Sequence, residues 1–116
     1  RNRLLLIPKI SDGTVVMPGQ HKLCQIDGEI KTKTMLEGGM LAGKLVSHKG
    51  TKDITSCIRK CCETENCHVA MMMGTYCYSV SCLNSDFCRP KAAPKETHHQ
   101  NPTIAYVKRG QITFGR

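Results

Sequence analysis

Apolar and polar positions alternate in short runs along most of this chain, and only once do they fall into helical spacing. Ile54, Cys57, Ile58, Cys61 and Cys62 stand at i, i+3, i+4, i+7 and i+8, one apolar stripe. Lys52, Arg59, Lys60 and Glu63 fall on the other side, toward water. Asp53 ahead of the stripe supplies an N-cap carboxylate. Asn66 suits the left-handed position that ends a helix, so the helix stops near Glu65–Asn66.

The remaining elements read as strands. Leu4–Ile7 is a first candidate, and Val15–Met17 a short edge strand between the turn signals Ser11-Asp12-Gly13 and Pro18-Gly19. Asp27-Gly28 predicts a hairpin joining the segment around Leu23–Ile26 to a strand Ile30–Met35. Lys44–His48 follows. His68–Met73 and Tyr76–Cys82 are joined by Gly74-Thr75, with glycine where a type II′ turn needs it. In the second of these, Tyr76, Tyr78, Val80 and Cys82 share one face and Cys77, Ser79 and Ser81 the other. Cys77 and Cys82 are therefore expected to pair in different directions. In the Met71-Met72-Met73 run, strand alternation buries two methionines and turns Met72 outward, a candidate protein-binding residue. The Pro-rich stretch after Cys88 reads as a long loop, Thr103–Val107 as a closing strand, and Gly110–Arg116 as a tail. The domain reading is an N-terminal segment 1–20 with a possible edge strand, one domain 21–107, and a C-terminal tail 108–116.

Composition changes this picture in two ways. The 116 residues include no Trp, two Phe and three Tyr, a lean supply for a core. A domain this small usually needs cross-links, and eight cysteines are present to make them. An even, dense set of cysteines belongs to an oxidising, extracellular compartment. No apolar run reaches the length of a membrane span. The opening RNRLLLIPKI is too short in its apolar part for a signal peptide, which suggests a piece of a longer ectodomain. Asn2, Asn66, Asn84 and Asn101 all miss the N-glycosylation pattern.

The second change is charge. Seventeen Lys and Arg against nine Asp and Glu give a formal net charge of +8, which favours polyanionic partners. Lys31 and Lys33 share a strand. Lys44, Lys49 and Lys52 precede the helix, Arg59 and Lys60 lie on its surface, and Arg89 and Lys91 follow the last cysteine. These nine are the candidate glycan-binding residues; Lys95 and Lys108-Arg109 add further charge. The bland reading is an evenly basic, solvated surface. With few aromatic residues to stack on bases, nucleic acid is not an expected partner.

Catalytic and metal readings find little support. Cys57-x3-Cys61-Cys62-x4-Cys67-His68 lacks the paired knuckles of structural zinc, and vicinal cysteines do not readily chelate one ion. If all eight cysteines pair, no thiolate remains as a nucleophile. His68 reads as a sheet or capping residue, and His98-His99 as solvent-facing loop. No hydrolase, phosphate-loop or metalloprotease motif occurs. The chain is expected not to be an enzyme and to need no metal or cofactor.

The order Cys57-x3-Cys61-Cys62-x4-Cys67-x2-Ala70, then Cys77-x4-Cys82-x5-Cys88, with Cys24 upstream, resembles the MANSC (MANEC) domain over residues 21–107. The resemblance implies an α+β, PAN/apple-like fold, a curved antiparallel sheet around one short helix stapled by four disulfides. It also implies the pairing Cys24–Cys88, Cys57–Cys77, Cys61–Cys67 and Cys62–Cys82. MANSC domains are extracellular modules of receptors and inhibitors. The expected function is therefore non-catalytic recognition of a protein ligand or a neighbouring domain. The alternatives are a heparin/heparan-sulfate-binding module and a structural spacer without its own ligand.

Overall fold

The computed structural model describes residues 14–17 and 22–111. The expected strand Leu4–Ile7 and the end of the tail lie outside the described residues. Among the described residues, nine strands and one helix follow in chain order: β1 (Thr14–Met17), β2 (Lys22–Ile26), β3 (Lys31–Thr32), β4 (Thr34–Leu36), β5 (Gly43–His48), α1 (Ile54–Glu63), β6 (Val69–Met73), β7 (Tyr76–Cys82), β8 (Pro90–Ala92) and β9 (Thr103–Gln111). Short 3-10 turns occupy Gly39–Leu41 and Lys95–Gln100.

The main sheet is antiparallel, in the order β1-β2-β9-β6-β7-β5, with β3 also on β9; β4 and β8 form a separate pair. β9 is the spine. β6 lies along one side of it, and β2 and β3 lie end to end along the other. The Asp27-Gly28 hairpin is therefore not formed. Instead four residues, 27–30, bulge out against two on β9, and the Asp27 amide donates to the Tyr106 carbonyl at 2.8 Å. Gly28 takes the left-handed backbone that the bulge demands, with φ +94°. The expected strand Ile30–Met35 is likewise broken at Lys33, whose φ of +51° turns the chain from β3 on the main sheet to β4 on the small one. The closing strand runs past Val107 to Gln111 because its second half has a partner, β2. Residues 108–111 thus belong to the sheet rather than the tail.

Helix and hairpin form as their local signals require. The Asp53 carboxylate accepts from the Ser56 amide at 2.7 Å, satisfying one orphan donor. Asn66 adopts the left-handed conformation, φ +65°, just beyond the helix. Gly74 sits at φ +63° in the two-residue turn that pairs Met73 with Tyr76. At Gly43 the backbone of β7 comes so near that a β-carbon would overlap the Ser81 carbonyl oxygen.

Both faces of the sheet are covered. α1 lies on one face, burying Cys57, Ile58, Cys61 and Cys62 against Cys24, Ala70, Met72, Cys77 and Ala105. The β4/β8 pair and the segments beside it cover the other, placing Leu36, Ala42 and Cys88 against Val69, Met71, Val80 and Ile104. Tyr106 on that face ties the layer down by donating its hydroxyl to the Cys88 carbonyl at 2.5 Å.

The disulfides follow these two faces. Cys57–Cys77 and Cys61–Cys67 join the helix to the hairpin and to the turn after the helix. The other two pairs differ from those implied by the resemblance: Cys24 bonds Cys62, and Cys82 bonds Cys88. Cys24 and Cys62 lie on the α1 side, whereas Cys82 and Cys88 lie on the opposite side. A Cys24–Cys88 or Cys62–Cys82 bridge would have to pass through the sheet.

Candidate functional site

All eight cysteines are bonded, and among the described residues no three His, Cys, Asp or Glu converge as metal ligands. The His68 Nδ1 accepts from the Cys82 amide at 2.9 Å, so this imidazole braces the end of β7. The His98 Nε2 donates to the Ala93 carbonyl at 2.9 Å, which orders the 3-10 turn.

One serine–histidine contact does exist. The His48 Nε2 and the Ser79 Oγ are 2.7 Å apart, Ser79 approaches the Thr64 Oγ1 at 3.4 Å, and Thr64 donates to the Lys60 carbonyl at 2.7 Å. This chain of bonds stitches edge strand, sheet and helix end together. Ser79 is 1% exposed, too enclosed to attack a substrate. Burial, reinforced by the Lys60 ammonium and partly opposed by the Glu63 carboxylate, lowers the proton affinity of His48. Below pH 6.5 the unfolded chain therefore takes up this proton more readily than the folded one, and stability falls until the folded pKa is passed. His48→Asn is expected to flatten that part of a stability-against-pH curve measured by urea unfolding.

Arg109 is a structural residue that periodicity did not reveal. From β9 its guanidinium donates to the Cys67 carbonyl at 2.6 Å, and to those of Cys61 and Thr64 at 2.8 and 3.1 Å. The last carbonyls of α1 are thus capped by an arginine from a strand more than forty residues away, which favours the helix dipole as well. Desolvation pulls this guanidinium below the usual arginine value. Arg109→Ala should cost about 2 kcal/mol, and Arg109→Lys should not rescue it, since an ammonium cannot span three acceptors with the same fork. An unfolding midpoint that moves at constant slope would register the loss.

The sheet divides the nine candidate glycan-binding cations. Lys44 alternates with His48 on the α1 face of β5, Lys49 and Lys52 lie in the connection to α1, and Arg59 and Lys60 lie on the helix. Lys60 stands near enough to His48 to depress its proton affinity and so shares the β5 side of α1 with Lys44, whereas Arg59 turns to the opposite flank of the helix, beside Cys62 and its bridge to β2. Lys31 pairs opposite Ile104 and so faces the other way. Lys33 and Lys91 belong with the β4/β8 pair. Arg89 is engaged with Asp86 at 3.7 Å, the one ion pair among the described residues.

Met72 is not on the surface. It is 4% exposed and packs under α1, because the helix covers the very face that alternation assigns to it; Met71 is 3% exposed and packs on the opposite face. The exposed apolar side chains lie elsewhere. Leu41 and Leu83 are 81% and 82% exposed, and Met40 and Phe87 are also open to solvent. Backbone bonds from Gly38 to Phe87 (2.7 Å) and from Leu83 to Ala42 (3.2 Å) hold the two segments side by side, and Cys82–Cys88 clamps the second. Two shallow grooves flank them. One, about 390 Å³, is lined by His68, Leu83 and Tyr106; the other, about 530 Å³, by Met40, Met73, Tyr76, Tyr78 and His99.

Among the described residues no helix is long and apolar enough to cross a membrane. Residues 21–111 match the model of a protein family described as the dyslexia-associated protein KIAA0319 N-terminal domain. No curated protein and no solved structure matches the chain.

Proposed function

The chain belongs to the dyslexia-associated protein KIAA0319 N-terminal domain family, and on that premise we propose that it is a non-catalytic, extracellular recognition module of a receptor-type ectodomain that binds a protein partner. Four disulfides support the oxidising compartment. Within the family, the cysteine spacing and the sheet wrapped on one helix support a MANSC-type, PAN/apple-like unit. Its body is residues 21–107, with the rest of β9 added.

The observation that carries the reading is the exposed apolar patch. Leu41 and Leu83 stand almost fully in water on backbone held by hydrogen bonds and a disulfide. Rigid apolar anchors of this kind lose little entropy on binding, and interfaces concentrate their energy on such residues. The test uses the disulfide-intact chain against an array of purified extracellular domains. A saturable partner is expected, and Leu41→Asp with Leu83→Asp should weaken it by about thirtyfold or more, as loss of an anchor worth 2 kcal/mol does. Absence of any saturable partner would leave the spacer reading in its place.

A second reading, binding of heparan sulfate, is favoured by the basic side chains of Lys44 and Lys60 on the α1 side of β5, with Lys49 and Lys52 in the connection beside them. It predicts later elution from heparin than from a cation exchanger of matched charge at equal conductivity. Identical elution from both columns would sink it.

A further inference from the structure

We propose that the outer edge of β5 is a strand-addition site for an extended, acidic segment of a partner protein. The inference rests on the protein-partner reading above and specifies the chemistry of one partner segment. Among the described residues β5 ends the sheet order and pairs only with β7, in unbroken register from Gly43↔Cys82 to His48↔Cys77. The sequence GKLVSH contains no proline to spoil such an edge, and the strand carries no bulge.

The register also fixes which groups look outward. The two-residue turn makes Met73 and Tyr76 a hydrogen-bonded pair, so Tyr76, Tyr78 and Val80 direct their amides and carbonyls to β6. The His68 amide on the Val80 carbonyl, 2.8 Å, agrees with this phase. Cys77, Ser79 and Ser81 then bond β5 through His48, Val46 and Lys44. Gly43, Leu45 and Ser47 are left presenting N–H and C=O groups to the outside. Among the described residues, nothing bonds them there.

Side-chain chemistry selects the occupant. On the α1 side of this edge stand Lys44 and His48 from β5 and Lys60 of the helix, with Lys49 and Lys52 in the connection between the two elements. Two carboxylates accompany them: Asp53, engaged with the Ser56 amide, and Glu63. On the opposite side stands half-buried Leu45, at the margin of the second core. An added strand would place alternate residues over each side. Acidic side chains over the cations and apolar ones beside Leu45 complement the edge, and its backbone groups favour a peptide over a sulfated glycan.

The experiment titrates the full chain with the acetylated peptide Glu-Val-Glu-Val-Glu-Val. Protection of the Leu45 and Ser47 amides from hydrogen exchange is expected. Two further peptides, N-methylated at alternate residues in one phase or the other, should differ by about tenfold or more in affinity, since only one phase blocks the shared edge. Ser47→Pro, which removes an outward amide, should weaken binding of the parent peptide to a similar extent, with the disulfide map and thermal midpoint checking the fold. Equal affinity for the two N-methylated peptides, or no binding at all, would overturn the proposal. So would binding that survives Ser47→Pro but is lost with Lys44→Glu, the signature of charge alone. None of these results touches partner binding at Leu41 and Leu83, so the inference can fail while the function proposed above stands.

Discussion

Replacing Cys24 and Cys62 together by alanine is expected to lower the unfolding free energy by about 4 kcal/mol. The corresponding replacement of Cys82 and Cys88 should cost about 2 kcal/mol. The difference arises in the unfolded chain, where a longer closed loop forfeits more entropy when it is cross-linked. The first bridge spans 38 residues and the second 6. The first also fastens β2 to the end of α1, and both of its sulfurs are buried, so a cavity adds to the loss. Chemical unfolding of the two double variants beside the parent chain gives the comparison. Equal losses would mean that loop entropy does not govern the stability of this domain.

The second large effect is expected at Ile58. Its side chain is fully enclosed between α1 and the sheet, among Cys57, Cys61, Cys62 and their neighbours. Disulfide sulfurs held by fixed backbone cannot move in to fill a void, so little relaxation follows truncation. Ile58→Ala should cost about 4 kcal/mol, in the upper half of what such truncations cost. For a domain whose total stability is on the order of 5–15 kcal/mol that is a large share, and the thermal midpoint should fall by about ten degrees or more. A thermal midpoint shifted by only a few degrees would show that the disulfides, rather than this packing, hold the helix to the sheet.

Much of the fold was legible because it is local. The α1 stripe, the Asp53 cap, the left-handed Asn66 and the Gly74 turn depend on residues within a few positions of one another. The opposite faces of Cys77 and Cys82 follow from strand alternation alone. That parity already bears on the bridges. With Cys57 bonded to Cys77, the helix lies on the Cys77 face, and Cys82 on the other face cannot reach Cys62. The pairing implied by family resemblance let Cys62 cross the sheet, and the structure returns each cysteine to its own side.

Other features were not legible, and each involves partners distant in sequence. Met72 was assigned to the surface by a rule that holds when one face of a sheet is open, and here a second layer covers the other face. Asp27-Gly28 looks like a hairpin turn until β9 supplies a longer partner for both flanking strands. Arg109 reads as part of a basic tail, and only the crossing of β9 beneath the end of α1 shows it as a helix cap. Leu41 and Leu83, the strongest candidates for contact, carry no sequence signal, since isolated leucines in loops are ordinary.

By itself, then, the sequence determined a disulfide-stapled α+β domain with one amphipathic helix, a β-hairpin beside it and a strong surplus of cations. Periodicity, capping and cysteine count act over a few residues or over the whole composition, and both can be read from a string. Which cysteines meet, which methionine is covered, how the cations divide and which strand is left as an open edge were decided only by the tertiary structure. Each depends on which side of the sheet a layer settles, and that is set by the joint burial of residues far apart in the chain, such as Leu36 with Ile104 and Cys24 with Ala105.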